Sequence, residues 1–233
     1  MMPPVVGNPT THVQHGALIL NIILTKLLKM IPQLDLFQIK KDPQRAKPFE
    51  QIKGLQYIPN FLTREEEKWC LQTIDNQLWV NDLKRRVQHY GFKYDYKIRR
   101  VDYSMRLGNL PDWLTPLSNR LFKEGYFDKM PDQVIVNEYE PGQGITSHID
   151  CEPCFEDTVV SISLSSDCVM DFTHQFSHDK VSVLLERRSA VILKGESRHD
   201  WQHGIAMRKT DVFEDISFKR TRRVSLTFRK VII

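Results

Sequence analysis

From Asp132 to the C-terminus the chain carries six short runs, QVIVNEY, TVVSISL, CVMDF, VSVLL, SAVIL and RVSLTF, separated by clusters of Gly, Asp, His and Arg. β-branched side chains lose rotamer freedom in a helix and pack well on a pleated surface, so each run is expected to be a strand. Two helices are expected upstream. Thr63 with Glu66 forms a capping box, and Trp69, Cys70, Ile74 and Leu78 follow at helical spacing. Leu114, Leu117 and Leu121 share one face between Trp113 and Lys123, and Gly125 is the stop. Helices followed by strands in this order predict an α+β domain whose core is an antiparallel sandwich or barrel.

A chain of 233 residues, 41% of them hydrophobic, can bury one substantial core. Residues 54–233 are expected to form it. Residues 1–53 read as an N-terminal extension, partly disordered or belonging to a misassigned start with Met30 as the initiator. The apolar run Gly16 to Ile31 is broken by Lys26 and Lys29 and is too short for a membrane span, so no membrane partner is expected. Gln33 to Phe37, QLDLF, resembles peptides that dock on a sliding clamp; a hydrophobic tail packed on the domain is the competing reading. Four cysteines, Cys70, Cys151, Cys154 and Cys168, are too few for a disulfide framework at this length and point to a reducing, cytoplasmic setting. Cys151 and Cys154 have CxxC spacing, but no second pair lies nearby to complete a zinc site, and they are read as two small loop residues. The net charge of +4 permits an anionic partner without requiring one. A monomer is expected.

Two segments carry chemistry. In NEYEPGQGITSHID a strand ends at Tyr139, a Pro-Gly turn follows, and His148 and Asp150 stand two apart, on one face of an extended segment. DWQHGI supplies His203 on another strand. Two imidazoles and a carboxylate can form the facial triad of a non-haem iron(II) oxygenase, and the same donors can hold zinc for hydrolysis. The closing segment RTRRVSLTFRK sets Arg223 and Arg229 on one strand face with Ser225 and Thr227 between them, and Val224, Leu226 and Phe228 on the other. Buried, that arginine face demands anions, and a dicarboxylate fits. A solvated terminal strand fits the pattern as well.

These three blocks resemble, in order, the motifs of the AlkB family of dioxygenases, and the resemblance runs from about Gly54 to Val231. It implies a double-stranded β-helix (jelly-roll) core with N-terminal helices and a nucleotide-recognition lid. It implies Fe(II) held by His148, Asp150 and His203, with 2-oxoglutarate and O2 as co-substrates. It also implies 2-oxoglutarate contacts from Asn137, Tyr139, Arg223, Ser225 and Arg229; Ser225 stands where many members have Asn.

The segment Leu83 to Arg100 interleaves seven Lys/Arg with His89, Tyr90, Phe92, Tyr94 and Tyr96, as a base-stacking, phosphate-binding lid would. Arg85, Arg86, His89 and Tyr90 are expected to contact substrate there. Glu152 and Arg198 match positions that line the base pocket in family members; Trp201 is expected to stack on a base, with a core role as the alternative. The expected activity is oxidative demethylation of alkylated bases in DNA or RNA. Hydroxylation of a modified wobble uridine in tRNA is the runner-up, and an inactive nucleic-acid binder a third reading. Members of the tRNA branch carry an RNA-recognition module and often a methyltransferase, for which this chain is read as having no room.

Overall fold

The computed structural model describes residues 48–81 and 84–233. The apolar run, the Met30 start and the QLDLF segment lie outside the described residues, as does Leu83 at the edge of the expected lid. No helix among the described residues is long and apolar enough to cross a membrane.

The predicted strands are present and all pair antiparallel. The larger sheet has six strands in the order β1 (Leu55–Ile58), β8 (Ala190–Leu193), β5 (Phe155–Leu164), β12 (Arg223–Val231), β3 (Gln133–Tyr139) and β2 (Val87–Tyr90). The smaller has four, in the order β4 (Ile145–His148), β9 (Trp201–Ile205), β6 (Cys168–His174) and β7 (Lys180–Leu185). A separate hairpin joins β10 (Thr210–Phe213) to β11 (Ile216–Lys219).

One face of the larger sheet is covered by helices α1 (Arg64–Asp75) and α2 (Thr115–Lys123), the other by the smaller sheet. The capping box on α1 is formed: Thr63 Oγ1 accepts from Glu66 N–H, and Glu66 accepts in return from Thr63 N–H. Cys70 and Ile74 turn inward as the spacing predicts, but Trp69 is 47% exposed and Leu78, beyond the end of α1, is 93% exposed. On α2 the expected face holds, with Leu114, Leu117 and Leu121 all buried.

Because period-two strands present alternate residues to the two covers, the central strands are buried on both faces. Val134 and Val136 of β3, Val160 and Ile162 of β5, and Val224, Leu226 and Phe228 of β12 pack under the helices. The other faces of these strands look between the sheets. There apolar packing gives way to Gln133, Asn137, Ser161, Ser163, Arg223, Ser225 and Arg229, among which a functional cleft opens.

Candidate active site

The cleft between the sheets is a cavity of about 580 Å³. Its metal-ligating wall depends on two strands lying unusually close. A Cβ on Gly204 of β9 would fall 2.9 Å from both N and Cα of Ser147 on β4, and one on Gly144 would fall 2.2 Å from the Ile205 carbonyl oxygen. With glycine at both places β4 and β9 pair through a register irregularity that sets His148 directly opposite His203. Asp150 follows in the loop after β4. The donor atoms of His148, Asp150 and His203 lie within 4.8 Å of one another, so the residues expected to share a metal do converge.

The surroundings fit that use. His148 Nδ1 lies 2.8 Å from the Thr146 carbonyl, so the proton sits on Nδ1 and leaves Nε2 free to ligate. Burial, with His148 alongside, holds the His203 imidazole down at a pKa of about 3, so it is neutral and available as a donor. Burial alone would raise the Asp150 carboxyl. The Arg229 guanidinium and the two histidines outweigh that and hold it well below the usual carboxylate range. Arg229 grips Asp150 through Nε and Nη2 at 3.1 and 3.2 Å, and its Nη1 donates to Gln133 Oε1.

The question of which way the arginine face of β12 points is answered by burial. Arg223 is 3% exposed and Arg229 8%, so the face is interior, not solvated. Arg223 donates from Nη2 to Ser163 Oγ and lies over the Tyr139 ring, but its buried Nε has no hydrogen-bond partner. A buried guanidinium with an idle donor, beside Ser225, Thr227, Asn137 and Tyr139, is suited to a carboxylate that enters from the cavity.

The expected substrate contacts separate. Arg85 lines the cavity, donates from Nε to Asn137 Oδ1 and stacks near Tyr96 and Tyr139. His89 sits 5.8 Å, ring to ring, from Tyr96. The others have different partners. Arg86 chelates Glu138 and lies over Trp79, and Tyr90 packs edge-on against Trp113 with its hydroxyl donating to Gln88. Glu152 faces His199 at 2.7 Å. Arg198, only 1% exposed, lies under the metal loop and donates to the carbonyl oxygens of Asp150 and Cys151. Trp201 is a core residue, edge-on to His174. In their place the mouth is lined by Lys84, Tyr94, Tyr96, Arg99 and Phe155. Tyr94 and Tyr96 alternate in the sequence and meet edge to face, so the interleaved aromatics were the available signal.

Cys151 and Cys154 are joined as a disulfide, with Cα atoms 5.3 Å apart; only Cys70 and Cys168 are free thiols among the described residues. Four residues of loop close a bridge that needs no wider framework, which is why counting cysteines against chain length missed it.

Residues 54–229 match the model of the 2OG-Fe(II) oxygenase superfamily. The chain is 41% identical over 213 residues to the macaque (Macaca fascicularis) protein named tRNA (carboxymethyluridine(34)-5-O)-methyltransferase ALKBH8, covering 81% of this chain and 31% of that one. It is 38% identical over 203 residues to the Arabidopsis thaliana alkylated DNA repair protein ALKBH8 homolog, covering 77% of this chain and 59% of that one. It thus spans less than two thirds of either relative. The solved structure of OsALKBH1 shares the fold, with a TM-score of 0.56 at 18% identity over 80% of this chain and 100% of that one. The jelly-roll core, the converging donors and these likenesses agree: the chain belongs to the 2OG-Fe(II) oxygenase superfamily, as an AlkB-like oxidoreductase that uses Fe(II), 2-oxoglutarate and O2.

Proposed function

We propose that the protein oxidises a modified base in nucleic acid, with His148, Asp150 and His203 holding Fe(II). The observation that carries this reading is a buried donor trio beside a buried arginine face, opening onto a mouth of aromatic rings and cations. Arg223 takes the distal carboxylate of 2-oxoglutarate, with Asn137, Tyr139 and Ser225 around the co-substrate. Arg229 fixes Asp150 and would help neutralise the co-substrate's other carboxylate. Bound Fe(II) with 2-oxoglutarate turns O2 into an oxidant able to hydroxylate a C–H bond, releasing succinate and CO2. The chain's own part is to keep the His203 imidazole neutral, turn His148 Nε2 toward the site through the Thr146 carbonyl, and hold the Asp150 carboxylate ionised.

At the mouth, Tyr94 and Tyr96 offer faces for an unstacked base, while Lys84, Arg85 and Arg99 offer charge to its phosphates. We take oxidative demethylation of an alkylated base as the reaction, in a monomeric, cytoplasmic protein. Hydroxylation of a tRNA wobble base is the second reading, favoured by the 41% identity to the macaque ALKBH8 protein. One experiment separates them. The protein is incubated with Fe(II), 2-oxoglutarate and, in turn, methylated DNA, methylated RNA and bulk tRNA. Demethylation releases formaldehyde with the methylated oligonucleotides. Succinate stimulated by tRNA alone, without formaldehyde, would sink it in favour of the second reading.

A further inference from the structure

The metal loop and the mouth meet in a small apolar cluster of their own. Phe92 and Val101 enter it from the lid segment, Cys151, Cys154 and Phe155 from the loop after Asp150, and Val231 from the end of β12. Inside it both sulfurs of the Cys151–Cys154 bridge bear on one atom, the carbonyl oxygen of Arg99, at 3.2 and 3.5 Å. A disulfide has no S–H, whereas a thiol is a weak donor. The same contact is therefore closed by a hydrogen bond only when the pair is reduced. Arg99 also reaches back across this seam, donating from Nη2 to the Ile149 carbonyl. Its backbone sits at φ +49°, a conformation that a non-glycine residue holds only where its surroundings impose it. On the other side the loop is anchored, because buried Arg198 grips the carbonyl oxygens of Asp150 and Cys151. The lid is thus the partner free to respond.

We propose that Cys151 and Cys154 form a thiol–disulfide exchange site that sets how tightly the lid closes over the cavity. The reductant is a low-molecular-weight thiol. Its thiolate attacks one sulfur and the bridge opens to a mixed disulfide. A second small thiol displaces the first as a small disulfide, leaving two cysteine thiols; two electrons and two protons have passed to the pair. Cys151 lines the cavity, which gives a small thiol its approach. Reduction supplies donors to the Arg99 carbonyl and draws residues 94–101 onto the loop; oxidation removes them. Asp150 stays fixed by Arg229 in both states. The effect on nucleic acid rests on the reading above, while the exchange site does not.

The test equilibrates the whole chain in glutathione buffers from reducing to oxidising. Thiols are trapped by alkylation and the peptide carrying Cys151 and Cys154 is weighed, hydrogen exchange of residues 94–101 is followed, and binding of a single-stranded oligonucleotide containing 1-methyladenine is measured by anisotropy. The pair should change state across the buffers. In the reduced chain the lid amides should exchange more slowly and the oligonucleotide bind more tightly, each by roughly three- to tenfold, the worth of about one hydrogen bond. A C151S/C154S variant, whose hydroxyls keep donors at both positions, should ignore the buffer and match the reduced chain. A pair that never changes state, or lid amides that exchange equally in both states, overturns the proposal. Redox-dependent lid exchange without oligonucleotide binding in either state supports the exchange site and sinks the nucleic-acid reading.

Discussion

The floor of the cleft and its mouth are built on different terms. The floor stands on long paired strands: β12 runs from Arg223 to Val231 between β3 and β5, with Ser225, Thr227 and Arg229 placed by register with both neighbours and Arg223 by β3. The mouth hangs on residues after β2 that are joined by isolated bridges, Phe92 to Arg106 and Asp95 to Arg100. Regular pairing holds catalytic groups at fixed distances, while sparse pairing lets a surface adapt to a macromolecule. Substitutions in the floor should therefore impair metal or co-substrate binding or folding, and those at the mouth should change affinity for the larger substrate alone.

The largest effect is expected at Asp150. Asp150→Ala removes a metal donor and strands Arg229 in the interior, so metal affinity should fall by more than about 100-fold and stability by about 3–5 kcal/mol. Calorimetric metal titration and urea unfolding read the two separately; unchanged metal affinity would remove the residue from the centre. Phe228→Ala acts on the opposite face of the floor, where the side chain is fully buried. It should cost about 3–5 kcal/mol of stability. Ligand contacts on the far face of β12 are expected to survive in the folded fraction. Next comes Arg223→Lys, which keeps charge but loses the fork. The KM for 2-oxoglutarate should rise about tenfold or more with kcat less affected. An unaltered KM would assign the dicarboxylate to another residue. Lys84→Ala, at the mouth, is the mildest: substrate affinity should weaken about two- to fivefold while substrate-free succinate formation is unchanged. A loss of succinate formation there would erase the contrast between floor and mouth.

What the sequence disclosed follows the same division. Runs such as QVIVNEY and RVSLTF announce strands because the helix-covered face of the larger sheet demands apolar residues at alternate positions, and their bounds fall close to Gln133–Tyr139 and Arg223–Val231. ITSH and WQHGI carry no such alternation, so β4 and β9 show in the motif and not in the pattern. The direction of the arginine face lay beyond any local rule, since Val224, Leu226 and Phe228 would alternate identically on an exposed strand. Burial decided it. Arg198 was read toward the cavity from its place in GESR, and Trp201 as either a base-stacking or a core residue. Tertiary packing turned one beneath the metal loop and the other into the core. Among the cations of the lid, Arg85 faces the cleft while its neighbour Arg86 pairs with Glu138, a choice set by the register of β2 on β3.

The absence of a side chain at position 204 bears on how such chains diverge. Any residue but glycine there would place a carbon 2.9 Å from the Ser147 backbone, so the two strands would have to part. His148, Asp150 and His203 would still be spelled in the gene, and the helices and the larger sheet would still have their core. A lineage could then lose its oxidative chemistry through one added methyl group and keep its fold and the aromatic, basic lining of the mouth. In a chain of this family, position 204 is the place to look for a descendant that binds without reacting.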